Sequence, residues 1–361
     1  MRVAVVGAGF SGLVSSIYLS RVANVTLFEE HGEVGVPEHC TGVVSGAVWE
    51  ALSSFVSSEV NEGALEEFFL GLPEGVGVTL KGPKGFAAKL DRRRLEEELL
   101  ETALAEGVKF VKKLVIRVTP KGYVDNEKYD RAVIAEGWRA ELSERLGVAA
   151  KPRRVYGLNL EVVGRAAYPG RAEVWFDKSL APGFFSWVVM LDGKAVVGTA
   201  ATKGYDVRAL ARKALEVAER RGLVEGEVKK EYGGVIQTGP PSLTPCASKV
   251  CATGDAAGLN KPVTGGGLYP SLYVASRYPS NVDNLVKAYR VIVPRLLAET
   301  PVARALHGAP QRAYVKLFTA LDGEVLRVTE YDNHLKTLAE LVQSKKAFKL
   351  LKALLKAFYP L

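Results

Sequence analysis

Soft metal ligands are scarce in this chain of 361 residues: it holds three cysteines, four histidines and two methionines. Cys40, Cys246 and Cys251 form no CxxC pair, and no histidine stands at metal-ligand spacing from them. Zinc sites and built-in iron–sulfur clusters need about four such ligands, so no metal is expected. Cys246 and Cys251 flank the start of a short strand and are expected as free thiols, a pairing being reserved for a hyperthermophilic source. His31, His307 and His334 show no ligand spacing, and no Ser-His-Asp pattern competes for a catalytic role. No apolar run reaches the roughly 20 residues that span a bilayer. Met1-Arg2 leads straight into an apolar strand with no secretory leader, so a cytoplasmic protein is expected. No internal repeat, low-complexity segment or basic run interleaved with aromatics is present, and no nucleic-acid partner is expected.

What is present is a globular composition, 48% hydrophobic and 24% charged, with a net charge of +8 and a pI near 9.2. A basic balance favours anionic partners: a phospholipid surface, a diphosphate or an acidic redox protein. Gln and Met are scarce while Lys, Arg and Glu abound, a bias of thermophilic proteins.

Val3 to Val6 is a short β-branched run ending at a glycine turn, as buried parallel strands do. A helix from Phe10 to about Arg21 and a strand Val25 to Phe28 complete a β-α-β unit. Between the first strand and the helix stands Gly7-Ala8-Gly9-Phe10-Ser11-Gly12. Gly7 permits the tight turn, Gly9 lets backbone approach a pyrophosphate, and Gly12 lets helix and strand pack closely. The helix start offers free N–H groups to phosphate. Glu29, with Glu30 beside it, closes the second strand where a carboxylate accepts from ribose hydroxyls. This pattern fits the ADP part of FAD or of NAD.

Further on, His31 to Gly46 reads as a functional loop, Asp91 to Glu106 as a helix, and Val108 to Val118 and Arg131 to Ala135 as strands. Arg154–Val163, Ala172–Phe176, Phe185–Leu191 and Ala195–Ala200 read as an antiparallel meander, followed by a helix from Asp206 to Arg221. From Leu285 the chain reads as largely helical. Its last stretch, His334 to Phe358, is amphipathic with a lysine stripe, which fits either packing on the body or lying on an anionic membrane.

Two features move the cofactor from NAD to FAD. No second GxGxxG follows, and Val250-Cys251-Ala252-Thr253-Gly254-Asp255-Ala256-Ala257-Gly258 precedes Pro262-Val263-Thr264-Gly265-Gly266-Gly267. Here the chain resembles the geranylgeranyl reductase family, within the flavoproteins that include the aromatic-ring hydroxylases. In such a motif Asp255 holds ribityl hydroxyls, and Gly254, Gly265, Gly266 and Gly267 bring backbone N–H groups to the cofactor. Gly35-Val36-Pro37-Glu38-His39-Cys40-Thr41-Gly42 resembles the family loop that carries a cysteine to the flavin ring. Leu90-Asp91-Arg92 resembles its Asp-Arg element, whose Arg reaches the cofactor. Pro182-Gly183-Phe184-Phe185-Ser186-Trp187 resembles its substrate strand, and Gly233-Gly234 with Pro240-Pro241 a further stretch. Two departures stand out. Glu136-Gly137 replaces the usual Asp-Gly, and Trp187-Val188-Val189-Met190 replaces Trp-x-Phe-Pro.

The resemblance implies an α/β, overall α+β, fold. Residues 1–60, 88–150 and 245–290 are expected to form a Rossmann-type FAD-binding domain. Residues 61–87 and 151–244 are expected to form an antiparallel-sheet substrate domain, and 291–361 a helical region. It also implies an FAD-dependent reductase of isoprenoid double bonds in geranylgeranyl lipids or diphosphates. Cys40 is the catalytic candidate, Glu136 a flavin contact, and Trp187 and Phe185 a substrate wall. Ferredoxin or NAD(P)H is the expected electron donor, and a peripheral membrane contact on the inner face is open. Two other readings remain: a monooxygenase of the same fold, and a non-catalytic prenyl-lipid binder.

Overall fold

The computed structural model describes residues 1–343. Strand β1 (Arg2–Val6) runs through the middle of a six-stranded sheet, with Val3, Ala4 and Val5 wholly buried. A glycine turn leads into α1 (Phe10–Ser20), and β2 (Asn24–Glu29) lies parallel to β1. Gly7 adopts φ +100°, and a Cβ on Gly12 would stand 1.8 Å from the Gly7 carbonyl oxygen. Only glycine allows the first conformation and the second approach. Helix α2 (Arg92–Ala105) is capped by the Asp91 carboxylate, which accepts from Arg94 N–H, and it buries Leu95, Leu99 and Ala103. Strand β3 (Arg131–Ile134) pairs parallel with β1 on its other side, and β4 (Val250–Ala252) pairs parallel with β3. Helix α3 (Leu268–Ala275) and α2 both pack on α1.

The strand expected over 108–118 is shorter. Lys109–Lys112 pairs with β2, after which Asp125 Oδ1 takes the N–H groups of Ile116 and Arg117 and pulls the chain out of the ladder. A second correction concerns the thiols. Cys246 and Cys251 face each other across an antiparallel hairpin and are joined by a disulfide, their Cα atoms 4.0 Å apart. Directly opposed residues of such a pair already stand at bridging distance.

The larger sheet has eight strands, in the order Val224–Gln237, Arg154–Ala166, Lys194–Ala201, Ser186–Leu191, Arg171–Trp175, Glu67–Gly71, Gly77–Lys81 and Val325–Arg327. The two pairings Arg171–Trp175 with Glu67–Gly71 and Gly77–Lys81 with Val325–Arg327 are parallel, the others antiparallel. Side chains alternate across it. Val188 and Met190 pack against the helix Val207–Arg220 on one face, while Phe185, Trp187 and Val189 join the cluster holding Phe176 and Tyr314 on the other. Its outermost strand, Val224–Gln237, carries Glu225, Glu227, Lys229 and Lys230, which suits an edge and hides it from hydrophobic patterning. The region expected to be helical from 285 onward supplies α4 (Ile292–Gly308) and α5 (Gln311–Ala320), but also β5 (Val325–Arg327), which completes the large sheet. Helix α6 spans His334–Gln343; the rest of the expected amphipathic helix lies outside the described residues.

Candidate functional site

A cavity of about 490 Å³ lies where the turns of the first sheet meet the face of the second. Gly9, Phe10 and Ser11 of the first turn reach it, with Gly254 and Asp255 after β4 and Gly265 to Gly267 before α3. Helices α1 and α3 both begin there, at Gly9 and Gly267, and neither has a side-chain cap. Their first-turn N–H groups therefore face the cavity unpaired and favour negative charge. Ser11 Oγ donates to Ser271 Oγ at 2.9 Å and ties the two helix starts together. A Cβ placed on Gly9 would meet nothing within 4 Å, so a cradle stands in front of α1.

The remaining groups suit a dinucleotide. Asp255 spends Oδ1 on Asn260 Nδ2, 2.9 Å away, and has a second oxygen for a hydroxyl. Asn260 Oδ1 is buried without a partner among the described residues. Buried polar atoms are rarely left so, and this one suits a ligand that donates. Glu29 ends β2 and accepts from Ala8 N–H at 2.7 Å and from His31 N–H at 3.0 Å, which places its carboxylate beside the first turn. These residues fit FAD: uncapped helix starts for the pyrophosphate and ring, and carboxylates for the sugar chains.

Two expected contacts are not in place. Glu136 turns away, because both its oxygens accept from Leu142 N–H, Ser143 N–H and Ser143 Oγ–H at 2.7–2.8 Å. It caps the short helix Glu141–Arg145 and does not line the cavity, whereas Ala135 and Gly137 do. Glu30 is half exposed and faces the ring of His31 at 3.9 Å, also off the cavity.

Cys40 and Thr41 do line the cavity. Arg92 stands beside Cys40, is almost fully buried and pairs with Glu96, one turn on. Burial works against its charge, but Glu96 and then Cys40 outweigh it and hold the guanidinium protonated above its ordinary range. The Arg92 guanidinium also lies 5.7 Å from the Phe10 ring centre.

The other half of the cavity is apolar. Phe184 stacks on Phe185 with ring centres 4.0 Å apart, and Trp187 meets Phe185 edge-on at 6.0 Å. Phe68, Phe86, Phe176 and Val189 extend this wall. Beneath it, burial pulls the imidazole of His307 down to about 4, so it stays neutral with Nε2 bonded to Val263 carbonyl at 2.9 Å.

Among the lining residues that escape sequence reasoning are Asn159, Lys261, Tyr331 and His334. Lys261 sits between the two glycine motifs, buried and paired with Asp332 at 2.9 Å, its Nζ 4.5 Å from the Tyr331 ring centre. Burial, then Asp332 and Cys40, raise Tyr331 well above its ordinary value. His334 joins Glu299 of α4 at 3.0 Å, and burial holds its pKa below the ordinary value. A lone polar residue in an apolar strand, as at Asn159, was the only available signal. Among the described residues no cluster of His, Cys, Asp and Glu is placed to hold a metal.

No protein-family model matches the chain. It is 26% identical to a digeranylgeranylglycerophospholipid reductase of Methanocaldococcus jannaschii over 303 residues, 74% of this chain and 73% of that one. The chain is therefore similar in sequence to reductases of that name over about three quarters of its length. Among solved structures, the chain matches a geranylgeranyl bacteriochlorophyll reductase-like protein from Thermoplasma acidophilum, with TM-score 0.82, 18% identity and 98% of both chains covered. It also matches p-nitrophenol 4-monooxygenase from Pseudomonas putida, with TM-score 0.66, 14% identity, and 98% and 96% covered. Those two likenesses carry the fold; the alignment with the methanogen reductase extends the likeness to sequence.

Proposed function

We propose that this chain is an FAD-dependent oxidoreductase that hydrogenates isoprenoid double bonds of a geranylgeranyl lipid or prenyl diphosphate. One observation carries the reading: a single cavity has a polar half built on two uncapped helix starts and an aromatic half, and Cys40 and Thr41 line it together with both.

Bound FAD, once reduced, supplies hydride from its N5. An isolated alkene is unactivated, so a proton must reach one carbon as hydride reaches the other. Cys40 is the residue assigned to that proton. Arg92 beside it carries the opposite charge to the thiolate left behind. Phe184, Phe185 and Trp187 hold the chain and exclude water. The wall differs in sequence from the family strand at Val188-Val189-Met190, which leaves the head group and the number of bonds reduced to experiment.

A net charge of +8 suits an acidic ferredoxin as donor, and NAD(P)H in transient contact is the alternative. Among the described residues no helix is long and apolar enough to cross a bilayer. A peripheral contact through the lysine stripe falls on residues beyond 343, outside the described part.

An anaerobic experiment tests the reading. The purified protein is loaded with FAD, reduced chemically and mixed with geranylgeranyl phospholipid or diphosphate. Flavin reoxidation coupled to a lipid mass gain is expected, and Cys40→Ala abolishes it while FAD stays bound. Flavin that stays reduced with every prenyl lipid, yet reoxidises with oxygen while hydroxylating an aromatic compound, replaces the reductase by a monooxygenase.

A further inference from the structure

Asn159 lies on the strand Arg154–Ala166, 2% exposed, and its side chain lines the cavity. Its Oδ1 accepts two hydrogen bonds of 2.9 Å, one from Thr41 Oγ and one from Trp187 Nε1. An indole N–H can only donate, so the oxygen must face it and the amide has one orientation. Nδ2 is thereby turned the other way, and it has no hydrogen-bond partner among the described residues.

A prenyl chain offers no acceptor. An amide N–H left dry against hydrocarbon is costly. Whatever completes this site next to Asn159 therefore carries an acceptor atom. The neighbouring strand points to its identity. Asn159 pairs with Tyr232, and Ile236 of the same neighbouring strand reaches over Gly157, two residues before Asn159: a Cβ there would stand 2.9 Å from Ile236 Cδ1, and a Cβ at Gly265 2.1 Å from Ile236 Cγ2. Asn159 is thus bonded to the Cys40–Thr41 loop on one side and, on the other, adjoins the Gly157–Ile236 contact that meets the glycine loop, all of them lining one cavity.

We infer that Asn159 donates from Nδ2 to an acceptor on the flavin ring, while its Oδ1 fastens the Cys40–Thr41 loop to the Trp187 wall. This rests on the FAD reading above. Asn159 is then both a cofactor contact and a positioning residue, and the two duties belong to different atoms.

Substitutions separate them. Asn159→Asp keeps an oxygen for Thr41 and Trp187 and loses the donor at neutral pH. Asn159→Ala loses both. Trp187→Phe keeps the bulk and frees the amide to turn. FAD affinity is read by flavin fluorescence, its surroundings by the visible absorption band, and the loop by the rate at which iodoacetamide alkylates Cys40 in the apoprotein. Asn159→Asp is expected to weaken FAD about tenfold and to shift the band, with alkylation within about twofold of wild type. Asn159→Ala is expected to weaken FAD similarly and to speed alkylation about fivefold. Trp187→Phe weakens FAD to a lesser degree, and it is the deciding variant if Asn159→Asp does not fold. Unchanged FAD affinity and an unchanged band in the folded variant overturn the inference. Wild-type protein that takes up no FAD at all is a different result, and it overturns the flavoprotein reading itself.

Discussion

The indole of Trp187 lies across Gly198 so closely that a Cβ at position 198 would stand 2.3 Å from Trp187 Cε2. Gly198 is paired on one side with Trp187 and on the other with Asn159. The missing side chain is what lets the indole N–H cross one whole strand and reach the Asn159 oxygen at 2.9 Å.

Gly198→Ala should therefore expel the indole from its trough. We expect a loss of about 1–3 kcal/mol in urea unfolding and a red-shifted tryptophan emission, as the added methyl group pushes the indole toward the cavity it lines. A variant with wild-type midpoint and emission would show that the trough is not needed.

Two glycines of the first turn should respond in opposite ways. At Gly12 an added Cβ meets the Gly7 carbonyl oxygen at 1.8 Å, while at Gly9 it meets nothing within 4 Å. Gly12→Ala should lower the melting temperature of the apoprotein clearly. Gly9→Ala should leave it within about 2 °C and weaken FAD binding at least about tenfold, because the methyl group fills the cradle. Equal melting temperatures for the two variants would contradict the geometry.

Thiol counting checks the hairpin. Unfolded protein should give one reactive thiol, Cys40, before reduction and three after it. Replacing Cys246 and Cys251 together by serine should cost about 2 kcal/mol, the loop-closure value for so short a separation. Three thiols in the unreduced protein would remove the bridge.

Stability should fall as pH drops through the window set by His307. Its imidazole titrates near 4 in the fold against an ordinary 6.5, because of burial. Between those values the unfolded chain binds a proton that the folded chain refuses, so acid favours unfolding by up to about 3 kcal/mol in all. His307→Gln retains a donor for Val263 and should flatten the slope from pH 6.5 to 5. His334, also held low by burial, leaves a remainder of the same sign. An unchanged slope would place the effect elsewhere.

How far the sequence disclosed this molecule depends on the range of each interaction. The unit from Val3 to Glu29 was legible because strand period, glycine turn and helix start are all local, and so was the helix that follows Asp91. Glu136 was found at the right place in the chain and given the wrong direction. Its carboxylate had two backbone N–H groups on offer six and seven residues later, which no motif records. The Cys246–Cys251 bridge depended on strand register, and the strand Val224–Gln237 was hidden by its charges. Tyr331 and Asp332 left no trace, since their partners are distant in the chain: Phe68 and Phe86 stand far before Tyr331, and Lys261 stands 71 residues before Asp332.

That last pairing sets an order on the making of the site. The first turn, with Gly7 and Gly9, leaves the ribosome more than 300 residues ahead of Tyr331 and Asp332. Chains begin to fold from the N-terminal side as they are synthesised. The cofactor cleft must therefore wait as an open groove while the intervening residues are made, and Lys261 stays without its carboxylate partner until the wall that carries Tyr331 arrives.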